Sequence, residues 1–305
     1  MSAVAETTEA TPSCCASCGV AENDDIKLKN CTACYLVKYC GITCQKAHRK
    51  QHKRACKKRA AELRDELLFK QPESTHLGDC PICMLPLPID VSKSTLKYCC
   101  TAAVCTGCDY ANLKRELEMR LTPSCPFCRK ASPKTKEEGI KLQMKRIEAN
   151  DPVALCQEGV RQHGKGDNER AFEYWAKAAK LGDADAHCRL ALLYQSGEGV
   201  EKDEGKRLHH LEEASIGGHP IARWNLGCCE HDNGNIERAV KHWIIAASQG
   251  EGDSIKDLMD MFQMGFVEKD VLAATLRAQK AAVEATKSPQ RQTAEEWKVK
   301  RNRLE

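Results

Sequence analysis

The stretch Cys31-x2-Cys34-x4-Tyr39-Cys40-x3-Cys44-Gln45-x6-His52-Lys53-x2-Cys56 decides how the first part of this chain folds. A CxxC pair lets two thiolates from one tight turn reach the same ion at about 2.3 Å. The x3 spacings at Cys40/Cys44 and His52/Cys56 place two ligands one helical turn apart on the same face. Adding the upstream pair Cys15 and Cys18 gives the donor set Cys15, Cys18, Cys31, Cys34, Cys40, Cys44, His52 and Cys56. Eight ligands make two closed tetrahedral sites with no position left for water, so the metal here is structural and not catalytic.

Cysteine usage along the rest of the chain agrees with this reading. Sixteen of the 20 cysteines lie between Cys14 and Cys128, and Cys156, Cys188, Cys228 and Cys229 follow. Residues 1–13 are rich in Ala, Thr and Glu, without a basic flank or an apolar run. They do not read as a secretory signal and are expected to be disordered. Paired CxxC spacings in a chain without an export signal point to zinc rather than to disulfides. The expected location is intracellular, cytoplasmic or nuclear. No stretch approaches the roughly 18 consecutive apolar residues that a membrane span requires, so no membrane partner is expected.

From Cys15 to Cys56 the pattern resembles the MYND zinc finger at every ligand position. The resemblance implies interleaved sites, with Cys15, Cys18, Cys40 and Cys44 on one Zn2+ and Cys31, Cys34, His52 and Cys56 on the other. Cys14 is then spare. MYND fingers usually bind peptides, often through an aromatic residue three positions before the ligand histidine. Arg49 stands there in this chain, which puts the usual peptide preference in doubt. Seven of the eleven residues from Arg49 to Arg59 are Lys or Arg. The plain reading of this run is a solvated helical face, with a nuclear-import signal or a nucleic-acid contact as competitors. No aromatic residues interleave with the charges, so a nucleic-acid partner is not expected.

A second module opens after Gln71-Pro72-Glu73-Ser74 with Cys80-Pro81-Ile82-Cys83. It continues through Cys99-Cys100 and Cys105-x2-Cys108 to Cys125-Pro126-Phe127-Cys128-Arg129. This resembles a RING finger, and the resemblance implies a first Zn2+ on Cys80, Cys83, Cys105 and Cys108. A second would rest on Cys99, Cys100, Cys125 and Cys128. Ala102 holds the place where a RING carries histidine, so adjacent cysteines must serve there, and a three-ligand or empty site is the alternative. RING fingers commonly act as ubiquitin ligases by docking a charged conjugating enzyme, which is catalysis by positioning. For that partner the resemblance marks Ile82, Leu113, Pro126 and Arg129. The plain readings are core for Ile82, turn geometry for Pro126 and a surface charge for Arg129.

Beyond Asp151 an Ala/Gly-punctuated helical pattern repeats. Residues 171–182, 207–218 and 239–250 align at steps of 36 and 32 residues, and a weaker copy runs from about Glu251 to Glu284. The unit around Asp183-Ala184-Asp185-Ala186 resembles the Sel1-like repeat, a relative of the tetratricopeptide repeat. Trp175, Tyr194 and Trp243 read as core, and Gly182, Gly218 and Gly250 as glycines ending helices.

The expected fold is mainly α: two small zinc-stabilised fingers followed by an α-helical solenoid of Sel1-like repeats. The expected segments are a disordered start (1–13), the MYND-type finger (14–57), a helical linker (58–79) and the RING-like finger (80–130). A charged linker (131–150), the repeats (151–285) and a charged tail (286–305) follow. The expected function is a zinc-binding protein-interaction adaptor, in its sharper form a RING-type ubiquitin ligase whose repeats recruit the substrate. The alternative is a non-enzymatic scaffold, or a transcription-related adaptor that binds peptides through the MYND finger. No other catalytic constellation is present. Partners are expected to be proteins or peptides.

Overall fold

The computed structural model describes residues 14–302, so the disorder expected over 1–13 lies outside the described residues. The chain divides into two compact units, Met1–Lys70 and Gln71–Glu305. The class is mainly α, as expected.

In the first unit β1 (Lys29–Asn30) pairs antiparallel with β2 (Lys38–Tyr39), and α1 (Ile42–Leu68) follows. The buried core here is Cys15, Cys31, Cys34 and Tyr39, so cysteine occupies places that a larger domain would fill with Leu or Ile. Ala, Lys, Arg, Glu and Leu dominate the second half of α1, all strong helix formers. The helix accordingly runs unbroken across residues 57–58, where the finger was expected to give way to a linker.

The second unit begins with the RING-like module. Here β3 (Ser94–Leu96) pairs antiparallel with β4 (Ala103–Cys105), and α2 (Thr106–Glu118) leaves directly from β4. The Cys105 side chain accepts the Cys108 N–H and so caps α2. The expected charged linker contains a helix, α3 (Lys136–Glu148), capped by the Thr135 hydroxyl.

Four helical pairs then follow. They are α4 (Pro152–His163) with α5 (Asn168–Lys180), α6 (Ala184–Ser196) with α7 (Glu204–Ile216), α8 (Pro220–Asp232) with α9 (Ile236–Ser248), and α10 (Asp253–Gln263) with α11 (Lys269–Ala285). Asp151, Asp167, Asp183 and Asp203 each cap the helix that follows by accepting backbone N–H groups. Gly182, Gly218 and Gly250 take left-handed φ values of 87°, 78° and 96° just past the ends of α5, α7 and α9. Ala171, Ala178, Ala186, Ala214, Ala222, Ala239 and Ala246 are completely buried, and their small side chains let the helices approach closely. Trp175, Trp243 and Tyr194 are buried among them.

The sequence period has a physical cause at two glycines. A Cβ on Gly159 would stand 2.4 Å from Trp175 Nε1, and one on Gly227 would stand 2.6 Å from Trp243 Nε1. Each indole therefore sits directly against glycine backbone of its partner helix, and any side chain would push it out.

The last segment, read as a charged tail, forms α12 (Pro289–Asn302) and packs along α2 of the RING-like module. Its charged composition alone reads as a tail. Yet Ala294 and Arg291 are buried, and Trp297 lies 5.0 Å from the Tyr110 ring.

Gly227→Ala is expected to lower the stability of the second unit by about 1–3 kcal/mol, the usual cost of overpacking. Gly205→Ala, at an exposed helix position with room for a methyl group, is expected to raise it by up to about 1 kcal/mol. Denaturant unfolding of the two variants would check both signs.

Candidate metal centres

The sixteen donors fall into four groups, and within each group the ligand atoms lie within 4.8 Å of one another. The groups are Cys15, Cys18, Cys40, Cys44; Cys31, Cys34, His52, Cys56; Cys80, Cys83, Cys105, Cys108; and Cys99, Cys100, Cys125, Cys128. Four thiolates about 2.3 Å from a tetrahedral centre stand about 3.8 Å apart. The Sγ–Sγ separations include 3.6 Å for Cys18–Cys40, 3.5 Å for Cys40–Cys44, 3.8 Å for Cys31–Cys56 and for Cys83–Cys105, and 3.3 and 3.9 Å for Cys99–Cys128 and Cys100–Cys125. His52 Nε2 is 3.2 Å from Cys34 Sγ. Every cysteine is free of disulfide bonding, and Cys14 is exposed and outside the four groups. The residues present therefore fit zinc in donor type, number and arrangement.

One backbone device builds the clusters. The carbonyls of Cys15, Cys31, Cys80 and Cys125 accept hydrogen bonds of 2.9, 2.9, 2.9 and 3.0 Å from the N–H groups of Gly19, Tyr35, Met84 and Arg129. Those four donors directly follow the second cysteine of each pair, and all have positive φ, from 55° to 73°. The left-handed residue turns the chain back under the pair, so that both thiolates point the same way. At a non-glycine residue this conformation costs about 1–2 kcal/mol. Zinc binding, on the order of 10–16 kcal/mol per structural site, easily offsets it.

The irregular centre uses the same device. Thr101 N donates to Lys97 O at 2.7 Å, and Thr101 has φ 56°. Lys97 N donates to Ala102 O at 3.0 Å, just as Cys80 N does to Leu85 O at 2.9 Å. Lys97 therefore stands where the first cysteine of a pair would stand, and Cys99 supplies the missing thiolate from beside Cys100. The Lys97 side chain turns away into an ion pair with Asp109. Neighbouring cysteines in a sequence look like an error of spacing. On this turn their sulfurs are 3.9 Å apart and point into one cluster with Cys125 and Cys128.

The thiols titrate unevenly. Hydrogen bonds from the Cys18 and Cys40 backbone bring Cys15 down to about 6. At Cys83 and Cys128 burial opposes ionisation, but the Leu85 and Lys130 N–H groups and neighbouring donors overcome it and leave both near 7. Their companions go the other way. Cys40 is pushed up to about 12, chiefly by hydrogen bonds to Cys44 and Cys18. Burial and Cys31 push Cys56 to about 11, and burial raises Cys99 and Cys108. Crowded thiols cannot all ionise beside one another, so a divalent cation is what brings all four to the thiolate form.

Most of the supports around these ligands lie outside the sequence motifs. Tyr39 is buried and shares a 3.1 Å hydrogen bond with His48 Nδ1, while the His48 ring stacks on His52. Buried Glu116 on α2 accepts both the N–H and the hydroxyl of Ser124, one residue before Cys125. Asn112 donates to Ser124 O and accepts from Arg129 Nη1 at 3.2 Å. Of the residues marked for a conjugating enzyme, Ile82, Leu113 and Arg129 are exposed and Pro126 is buried. Leu117, one turn after Leu113, and Phe127, beside Pro126, are exposed as well.

The MYND finger family model matches residues 15–56, and the Sel1 repeat model matches residues 154–183, 184–219 and 220–251. The chain thus carries a MYND zinc finger and three Sel1 repeats. A protein of Ostreid herpesvirus 1 named as a RING finger protein is 40% identical over 53 residues, 17% of this chain and 22% of that protein. Chitin synthase regulatory factor 4 of Schizosaccharomyces pombe is 33% identical over 86 residues, 28% of this chain and 14% of its own length. The match thus spans less than a quarter of either relative. Among solved structures, a Sel1 repeat protein from Oxalobacter formigenes is similar at 19% identity and a TM-score of 0.42, over 57% of this chain and 72% of that one. A protective antigen of uropathogenic Escherichia coli with an SLR fold is similar at 21% identity and a TM-score of 0.39, over 51% and 34%. Among the described residues no helix is long and apolar enough to cross a membrane.

Stripping zinc with EDTA is expected to abolish native chemical shifts in the MYND finger, whose buried core is mostly ligand cysteine, while the repeat tryptophans keep their native fluorescence. Native shifts persisting over residues 15–56 in metal-free protein would refute the structural role of the metal.

Proposed function

We propose that this zinc-binding protein-interaction adaptor is a RING-type ubiquitin ligase. In this reading the sixteen donors hold four Zn2+ ions, two in each finger. The observation that carries it is the convergence of Cys99, Cys100, Cys125 and Cys128, which gives the RING-like module a second four-donor group despite its missing histidine. Two closed centres make that module rigid, and a ligase of this kind needs rigidity because it works by positioning.

Exposed Ile82 and Leu113, extended by Leu117 and Phe127, supply apolar surface for a conjugating enzyme. Pro126 supports the turn beneath it from a buried position. Arg129, steadied by Asn112, presents its guanidinium at the edge of that surface, where it can donate to both ubiquitin and the enzyme. The Sel1 repeats recruit the substrate protein. The similarity to a viral protein named as a RING finger protein supports the same reading. A non-catalytic scaffold is the second reading, favoured by Arg129 being already engaged by Asn112.

The test is autoubiquitination by the full zinc-loaded chain with a panel of conjugating enzymes. Wild type is expected to build chains, and Ile82→Ala and Arg129→Ala are each expected to lower the rate at least about tenfold, roughly 1.4 kcal/mol of barrier, with zinc content unchanged. Absence of chains across the panel from fully zinc-loaded wild type would leave the scaffold reading.

A further inference from the structure

Arg291 is a buried cation some two hundred residues away in sequence from the metal ligand it touches. It is 5% exposed. Its Nη2 donates to Cys83 Sγ at 3.4 Å and to Leu85 O at 3.1 Å. Its Nη1 donates to Pro86 O at 2.7 Å and to Thr286 O at 2.6 Å. The guanidinium therefore grips two carbonyls of the turn that follows Cys80 and Cys83 and reaches the ligand sulfur itself.

The backbone of α12 is seated just as closely. Gly107 lies between the ligands Cys105 and Cys108, and a Cβ there would stand 2.9 Å from both Cα and N of Arg291. The Ser288 hydroxyl accepts the Arg291 N–H and begins the helix. Further along, Trp297 packs on Tyr110 and Glu295 pairs with Lys93 at 3.1 Å.

Four thiolates around one Zn2+ leave a net charge of about −2. Burying such a charge is costly unless an opposite charge and hydrogen bonds meet it. A guanidinium does both at once, and its flat fork can hold a sulfur and two carbonyls in fixed directions where an ammonium cannot.

We propose that α12 is an integral part of the RING-like finger and that Arg291 is a positioning residue for its first metal centre. By neutralising and orienting the Cys83 thiolate, Arg291 makes metal retention at Cys80, Cys83, Cys105 and Cys108 depend on a docked C-terminal helix. Ligands and support come from opposite ends of the second unit, so loss of the helix by truncation or cleavage would release metal from this centre first. The proposal is independent of whether the finger is a ligase.

The experiment uses the full zinc-loaded chain, challenged with EDTA and iodoacetamide, with each cysteine followed by peptide mass spectrometry. Removal of a group that orients a metal ligand typically costs 10–100-fold in metal affinity. Arg291→Ala is therefore expected to speed alkylation of Cys80, Cys83, Cys105 and Cys108 by about 10–100-fold. Alkylation of Cys99, Cys100, Cys125 and Cys128 should stay at the wild-type rate. Arg291→Lys should fall between, and Gly107→Ala should reproduce the pattern with the arginine present, because it lifts the helix. Unchanged rates at the first centre in Arg291→Ala would overturn the proposal. So would equal acceleration at both centres, which would mean general unfolding of the module.

Discussion

The convergence of four sulfur or nitrogen donors on one point is the constraint from which the rest of both fingers follows. In the MYND finger three of the four residues of the buried cluster are ligand cysteines, and in the RING-like module three of five are. Neither finger has an apolar core able to fold it alone. The metal replaces that core, and other features answer to it. Left-handed residues after four of the pairs aim the thiolates, Cys105 caps α2, and α1 carries Cys44 to one donor group and His52 and Cys56 to the other.

The RING-like module is not tethered loosely to the repeats. Its second centre is fastened to the start of the solenoid, where the Thr101 hydroxyl bonds Asp151 at 2.7 Å and Arg146 pairs with the same carboxylate. That carboxylate also caps α4, so the turn carrying Cys99 and Cys100 and the first repeat helix share one anchor. Its first centre is held by Arg291 at the other end of the unit. The approach to the module is fixed too. His76 stacks on His219 at 4.0 Å, and Gln249 donates to Ser74 O. The finger and the repeats therefore hold a set distance and direction. An adaptor needs this if what binds the finger is to act on what binds the repeats.

Much of this was legible before any coordinates. The repeat period shows in the sequence because Gly182, Gly218 and Gly250 must reach positive φ just past the helix ends. The MYND pattern showed because ligand spacing is set by local backbone geometry. Lys97 and Cys99 were harder to read. Their role depends on a turn whose hydrogen bonds match those of a CxxC pair although its residues do not. The last segment reads from its sequence only as a charged tail, since composition reports average burial. It does not report the single arginine that a buried anionic site draws in.

Sequence alone determined the metal chemistry, the two fingers and the helical repeats, because each rests on contacts between residues close together in the chain. Only the tertiary structure decided that the irregular centre has four donors. It also decided that the last helix belongs with the RING-like finger and that one module is clasped at both of its metal centres. The contacts that fasten the module to the first repeat helix and to the last helix join residues 50 and 208 positions apart. At such separations no spacing rule operates, and what selects the partner is the need to satisfy buried charge and buried hydrogen-bonding groups.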